Sequence, residues 1–433
     1  MDGKVSCIGD TIVKTVSLLI IGAGSRGSGY GDWVKQHPDR AKVVGVAEPR
    51  DFYRNRMAET HNIPPQNVFT DWQEAAQRER FADAVIIATQ DRMHAEPAIA
   101  FAQKGYHMLL EKPMAPNEQD CRRIVSSAIK SNIIFAVCHV MRYTPYTRQL
   151  KSIVDSGQIG EVVNIQHLEP VGYWHQAHSF VRGNWRNEAE SSFMLLAKSC
   201  HDLDWIRYMM GARCTKVASF GSLYHFNRAN KPDGAAERCL DCPIESTCPY
   251  SAKKIYIEDR VKKGKTGWPT DVLTPDVTVE GVTEALRTGP YGRCVYQCDN
   301  DVVDNQVVIM LFEDGRTASF TMTAFTEAAH RKTRLFGTRG QIEGDGRHID
   351  IFDFLTDTHK VIDTHATDGT IVGGHGGGDA GLIDSFIAAV ADNDPSKVLS
   401  GPADTLETHL ITFAAERSRK ESRIIDVPDT TMM

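Results

Sequence analysis

The chain has 433 residues, of which 41% are apolar and 24% charged, and its formal net charge is −7. Such a length accommodates two domains with sizeable cores. An acidic balance with no block of like charges argues against nucleic acid or an anionic membrane surface as partner. The longest apolar run, 16–21, is too short to cross a bilayer, and no secretory signal pattern precedes it. Ten cysteines in a long chain fit free thiols in a reducing, cytoplasmic setting better than a secreted disulfide scaffold.

Residues 1–14 read as an N-terminal tail. The run Val-Ser-Leu-Leu-Ile-Ile over 16–21 predicts a buried strand, and it enters a turn with Gly22, Gly24 and Gly27. This is the G-x-G-x-x-G spacing of a dinucleotide-binding turn. Gly22 permits the tight turn, Gly24 lets the backbone approach a pyrophosphate, and Gly27 lets the next helix pack on the strand. The pyrophosphate would rest on that helix's N-terminus, where free N–H groups and the dipole favour an anion. A second strand, 41–47, ends at Glu48, placed to accept hydrogen bonds from ribose hydroxyls and to repel a 2′-phosphate. That selects NAD, while the nearby Arg50 leaves NADP open.

Further strands are expected at 83–88, 106–110 and 133–137. A helix over 117–131 sets Cys121, Ile124, Val125, Ala128 and Ile129 on one face. The alternation predicts a doubly wound parallel sheet with ligands at the strand C-termini. Beyond about residue 139 the texture changes. Strands at 161–168, 307–312, 317–323 and 332–336 suggest an antiparallel sheet. Stretches 228–250 and 260–293 read as long loops. A helix over 380–392 follows a glycine run at 373–378. The expected fold is therefore α/β. Residues 15–138 form the doubly wound domain. Residues 139–433 form an α+β domain with a large, mainly antiparallel open sheet and a cysteine-rich insertion at about 228–300.

The strand 106–110 runs into Glu111-Lys112-Pro113-Met114, which puts a lysine at the C-terminal end of a central strand. Together with the glycine turn, the Ala88-Thr89-Gln90 to His94 turn, Arg142-Tyr143-Thr144-Pro145 and Gly157-Gln158-Ile159-Gly160-Glu161, this series resembles the Gfo/Idh/MocA oxidoreductase family, over about 16–425. The resemblance implies a Rossmann domain that holds NAD or NADP through Gly22, Gly24, Ser25, Arg26, Gly27, Glu48, Arg50, Thr89, Gln90, His94, Glu111, Lys112 and Arg142. It also implies that Lys112 binds the substrate hydroxyl and the cofactor ribose. The family's catalytic helix usually carries an aspartate followed four residues later by a histidine. Here the histidine maps onto His201 and the aspartate position is Ala197, with Lys198 beside it. His201 is the expected general base and Lys198 a second acid–base group.

Residues 167–186 are dense in His167, Glu169, Tyr173, Trp174, His175, His178, Trp185 and Arg186, side chains suited to a polyhydroxylated ring. Expected substrate contacts are Tyr173, His178, Trp185, Arg186, Lys198, His201 and His375. Cys239-x2-Cys242-x5-Cys248, with Cys294 or Cys298, supplies the four thiolates of a structural zinc site. The leading expectation is an oxidoreductase that moves a hydride between a sugar, sugar-derivative or polyol carbon and the nicotinamide. Its alternatives are a redox-neutral glycoside hydrolase, working by oxidation, elimination, hydration and reduction, and a non-catalytic NAD and sugar sensor. The resemblance also implies a homo-oligomer, a dimer or tetramer.

Overall fold

The computed structural model describes residues 14–364 and 376–430. Six strands build the first sheet: β1 (Val16–Ile21), β2 (Ala41–Ala47), β3 (Val68–Phe69), β4 (Ala84–Ile87), β5 (His107–Leu110) and β6 (Phe135–Val137). All pair in parallel, in the order β3-β2-β1-β4-β5-β6. Their near-continuous apolar sequences follow from helices covering both faces. The helix Glu118–Lys130 shows how: Asn117 caps it by accepting from the Asp120 amide, and Cys121, Ile124, Val125 and Ala128 are buried. Strand order reverses between β1 and β4, which opens a crevice beyond their carboxyl ends.

The second sheet has nine strands: β7 (Val162–Pro170), β8 (Cys214–Ser222), β9 (Asn305–Phe312), β10 (Thr317–Thr323), β11 (Lys332–Gly337), β12 (Gly340–Gly344), β13 (His348–Asp353), β14 (Thr358–Asp363) and β15 (Ile425–Asp426). Their order is β14-β13-β12-β11-β7-β10-β9-β8-β15, antiparallel except for the parallel pair β7 and β10. The helices Cys200–Met210 and Pro402–Glu421 pack on this sheet. Strand β9 alternates Val308, Met310 and Phe312 inward with Val307, Ile309 and Leu311 outward. The outward residues stay 41%, 52% and 37% exposed, an apolar row where a solvent-facing strand would carry polar residues.

The stretches expected as loops between 228 and 293 are packed structure instead. They fold into short helical turns and the helix Val279–Thr288, around a core of Ile255, Tyr256, Val282 and Leu286. The apolar residues driving this are sparse and lie between charged ones, so periodicity does not reveal them.

One ion pair joins the two sheets. Arg142, in the turn after β6, donates from Nε to Asp204 Oδ2 at 2.7 Å and from Nη2 to Oδ1 at 2.6 Å; both residues are almost fully buried. Asp204 lies in the helix Cys200–Met210. Arg142→Met leaves a buried carboxylate unpaired, and urea or thermal denaturation should show a loss of about 3–5 kcal/mol. Arg142→Met combined with Asp204→Leu should recover most of it.

Candidate active site

The glycine turn is built as its spacing demands. Gly22 has φ +88°, and a Cβ there would meet the Ala88 carbonyl oxygen at 2.6 Å. At Gly27 a Cβ would lie 1.9 Å from the Gly22 carbonyl oxygen, so only glycine lets the helix Ser25–Gln36 start this close to β1. Gly24 meets only the end of the Arg50 side chain, which leaves its backbone open to an approaching group. The buried Glu48 carboxylate accepts from the Ala23 amide at 2.9 Å and from Arg50 Nε at 2.7 Å. Burial pushes its pKa up, but the Arg50 bonds outweigh this and hold it below the usual range. The turn therefore offers an open backbone, a helix N-terminus and an oriented carboxylate, a set that fits a dinucleotide.

Thr89 and Gln90 lie at the end of β4. His94, fully buried, has Nδ1 2.9 Å from the Pro113 carbonyl oxygen and Nε2 3.2 Å from that of Thr89, so it braces the β4 turn against the lysine turn. Three expected cofactor residues are engaged elsewhere. Arg26 donates to Glu111 at 2.6 Å and to Asp379 at 2.5 Å. Glu111 also accepts from the Tyr30 hydroxyl at 2.7 Å. Arg142 is spent on Asp204, so it is an internal strut rather than a donor at the crevice.

Lys112, half-buried beyond β5, donates from Nζ to the Ala197 carbonyl oxygen at 2.7 Å. The residue standing where an aspartate was expected thus contributes its backbone oxygen. Next to it, Lys198 Nζ lies 3.1 Å from Glu169 Oε1 at the end of β7. Burial pulls the Lys198 ammonium below its usual range, with Glu169 opposing and Arg331 and Lys112 reinforcing. Arg331 Nε sits 2.6 Å from Glu169 Oε2 and 2.9 Å from Asp202 Oδ1. His167 Nε2 is 3.1 Å from the same Asp202 oxygen. His201 is buried in the first turn of that helix, edge-on to the His139 ring. His175, half-buried, feels Lys198, Arg331 and Lys112, and desolvation with this positive surround keeps it neutral. The structure therefore sets Lys112 against the backbone next to Lys198, places His201 in the helix that follows with its ring on His139, and adds Glu169, His175, Asp202 and Arg331 around Lys198.

Other expected contacts do not join this cluster. His178 is buried in the insertion, with Nδ1 2.7 Å from the Tyr256 hydroxyl and its ring stacked on Tyr291 at 4.8 Å. Burial pushes its pKa down to about 3. Arg186 is tied to Asp299 at 2.9 Å, and Trp185 leans on Phe180 at the surface. Tyr173 is half-buried near Tyr250, and His375 lies outside the described residues. Among the described residues no group of three or more His, Cys, Asp or Glu is arranged to hold a metal ion, so the zinc expected at Cys239, Cys242, Cys248 and Cys294 or Cys298 is not supported. Cys298 instead donates to the Cys294 carbonyl oxygen at 3.3 Å.

Burial raises the Asp202 pKa, but Arg331 and His167 more than reverse this, so the carboxyl titrates below its usual range. An unfolded Asp titrates near about 3.9, so Asp202 stabilises the fold above that pH, and the contribution is lost as pH falls toward the lower folded value. Asp202→Asn removes it. Urea midpoints should show the wild type keeping its margin over the variant from about pH 7 down to about pH 4 and losing it progressively as pH falls further.

Two family models cover the chain. One, described as the NAD-binding Rossmann fold of an oxidoreductase family, matches 16–139; the other, that family's C-terminal alpha/beta domain, matches 151–427. The protein YteT of Bacillus subtilis is 23% identical over 370 residues, covering 80% of this chain and 82% of that protein. A 2,7-anhydro-N-acetylneuraminate hydratase of Mediterraneibacter gnavus is 31% identical over 209 residues, 48% of this chain and 53% of its own length. An inositol 2-dehydrogenase of Corynebacterium glutamicum is 27% identical over 206 residues, 47% of this chain and 57% of its own. With these last two relatives the match spans about half of each protein. A levoglucosan dehydrogenase solved with NADH shares the fold at a TM-score of 0.70 and 19% identity, covering 96% of this chain and 100% of that one. A glycine turn shaped for a dinucleotide, the lysine at the end of β5 and two family models spanning both sheets agree: the chain belongs to the Gfo/Idh/MocA family of NAD-binding oxidoreductases.

Proposed function

We propose that the protein is an NAD-dependent oxidoreductase that oxidises a hydroxyl-bearing carbon of a sugar, a sugar derivative or a related polyol. The observation carrying this reading is the bond from Lys112, at the carboxyl edge of the first sheet, to the Ala197 carbonyl, which sets it beside Lys198 and the start of the helix that carries His201. The Gly24 backbone and the helix beyond it would hold the pyrophosphate, and Glu48 the ribose hydroxyls, a donor set that favours NAD over NADP. When bound, the dinucleotide supplies the hydride acceptor. Lys112, fixed on the Ala197 carbonyl, keeps a positive charge where the reacting hydroxyl becomes an alkoxide. His201 takes the hydroxyl proton. Lys198 and Glu169 form a second exchangeable pair beside it.

A redox-neutral glycoside cleavage is the second reading. It needs more acid–base groups than a simple dehydrogenation, and the Lys198–Glu169 pair with neutral His175 would provide them. The hydratase relative also supports it. A panel of free sugars, polyols and chromogenic glycosides with NAD separates the readings. Stoichiometric NADH without cleavage is expected for the first, and aglycone release with no net NADH for the second. His201→Ala should lower kcat by about 10²–10⁴-fold while sparing NAD binding. If His201→Ala and Lys112→Met respond to NAD and sugar as the wild type does, the protein is a sensor.

We also infer a homo-oligomer, supported by the outward apolar row Val307, Ile309 and Leu311 with exposed Phe220 on the neighbouring β8. Light scattering of the purified protein should give a dimer or tetramer. Ile309→Arg should shift it toward the monomer without unfolding it.

A further inference from the structure

Cys239, Cys242, Cys248 and Cys294 do not meet at one point; they line a common cavity of about 140 Å³. The first three share one loop. Cys294 arrives from a distant stretch, fixed because its amide donates to the Glu237 carbonyl at 2.8 Å and Arg238 bridges to Arg293. Four thiolates around a single ion close at about 2.3 Å from the metal and leave no such space. A cavity this large is many times the roughly 15 Å³ that admits one water, so the four thiols border room for a body larger than a single ion.

The charge in the wall points the same way. Arg182 also lines the cavity and is 1% exposed. Nη2 donates to the Tyr250 carbonyl at 2.8 Å and to Cys239 Sγ at 3.4 Å, and Nε donates to the Arg293 carbonyl at 2.8 Å. Nη1 has no partner, and Arg182 forms no salt bridge among the described residues. A guanidinium buried without an anion costs several kcal/mol, and neutral thiols do not offset it. The carboxylate in the lining, Glu245, is taken by Ser251 and Lys253.

We propose that Cys239, Cys242, Cys248 and Cys294 ligate a [4Fe–4S] cluster in this cavity. Each thiol gives up its proton to become a ligand. Four thiolates on a core carrying two positive charges leave a dianion, the counter-charge that Arg182 lacks. Iron and sulfide occupy the space that a single ion would leave empty. The cluster would be structural. It ties the 239–248 loop to residue 294 and, through Arg182, to the helical turn Gln176–Arg182 that continues from Tyr173–His175, and so steadies the segment that brings His175 to the site.

The test is anaerobic purification of the full chain, with reconstitution from ferrous iron and sulfide under thiol reductant. The expected result is about four irons and four acid-labile sulfides per chain, with a broad visible thiolate-to-iron charge-transfer band. Circular dichroism would confirm that each variant is folded. Cys242→Ser, at a half-buried loop position, should lose the band; Cys298→Ser should keep it. A colourless, iron-free protein after reconstitution overturns the proposal, as does one zinc per chain bound in preference to iron. Loss of the band in Cys298→Ser with retention in Cys294→Ser overturns the ligand assignment. The wild-type stoichiometry decides the main point even if a variant fails to fold.

Discussion

Asp204 lies at zero exposure between the two sheets, accepting two bonds from Arg142 and one from Thr408, with His139 Nδ1 3.9 Å away. A buried carboxylate is tolerable only when its oxygens are bonded and its charge is matched. Arg142 meets both needs from the turn after β6, and Thr408 adds a bond from the long C-terminal helix. The helix Cys200–Met210 is thereby fixed in position and rotation against the first sheet. His201 and Asp202, in its first turn, inherit that placement. Remove the pair and that helix loses its reference point.

Around this strut the polar groups are arranged in chains rather than isolated pairs. Lys198 meets Glu169, Glu169 meets Arg331, Arg331 meets Asp202, and Asp202 meets His167. Each charge has a partner on a different element, so β7, the segment before β11 and the helix Cys200–Met210 cannot shift independently. Lys112 stands outside the chain, held by a carbonyl instead of a carboxylate. A dipole orients an ammonium without neutralising it, and its charge stays available to an oxygen in the crevice.

The first sheet could be read almost residue for residue, because buried parallel strands are uninterrupted apolar runs. Strand β3 escaped, being two residues long. In the second domain the alternating strands β9, β10 and β11 were visible, whereas β8 and β12 to β14 were not; short runs with charged residues on the open face carry little period. The glycine turn was legible because its spacing fixes the backbone geometry, whereas Lys112, Lys198 and His201 were singled out by motif, which gives a position and not a role. Arg331 had no local signal, since only the pairing of β11 with β7 brings its segment to Glu169. Choosing between His175 and His178 needed the helical turn's facing, which sequence density does not give. Arg142 was misread for a related reason: a motif shows that a residue matters, not which partner it takes.

Arg50 lies on the Glu48 carboxylate with its guanidinium 4.2 Å from the centre of the Tyr53 ring. It already fills acceptor positions on that carboxylate. Any diol that engages Glu48 would compete with an internal donor, so its observed affinity would be a difference between two partners of one carboxylate. The exchange need not be steep. The ring under Arg50 gives the displaced cation a place to stay, and a freed guanidinium next to a bound dinucleotide is well situated to meet its phosphates. One side chain could thus keep the carboxylate ionised before binding and serve as an anion clamp afterwards.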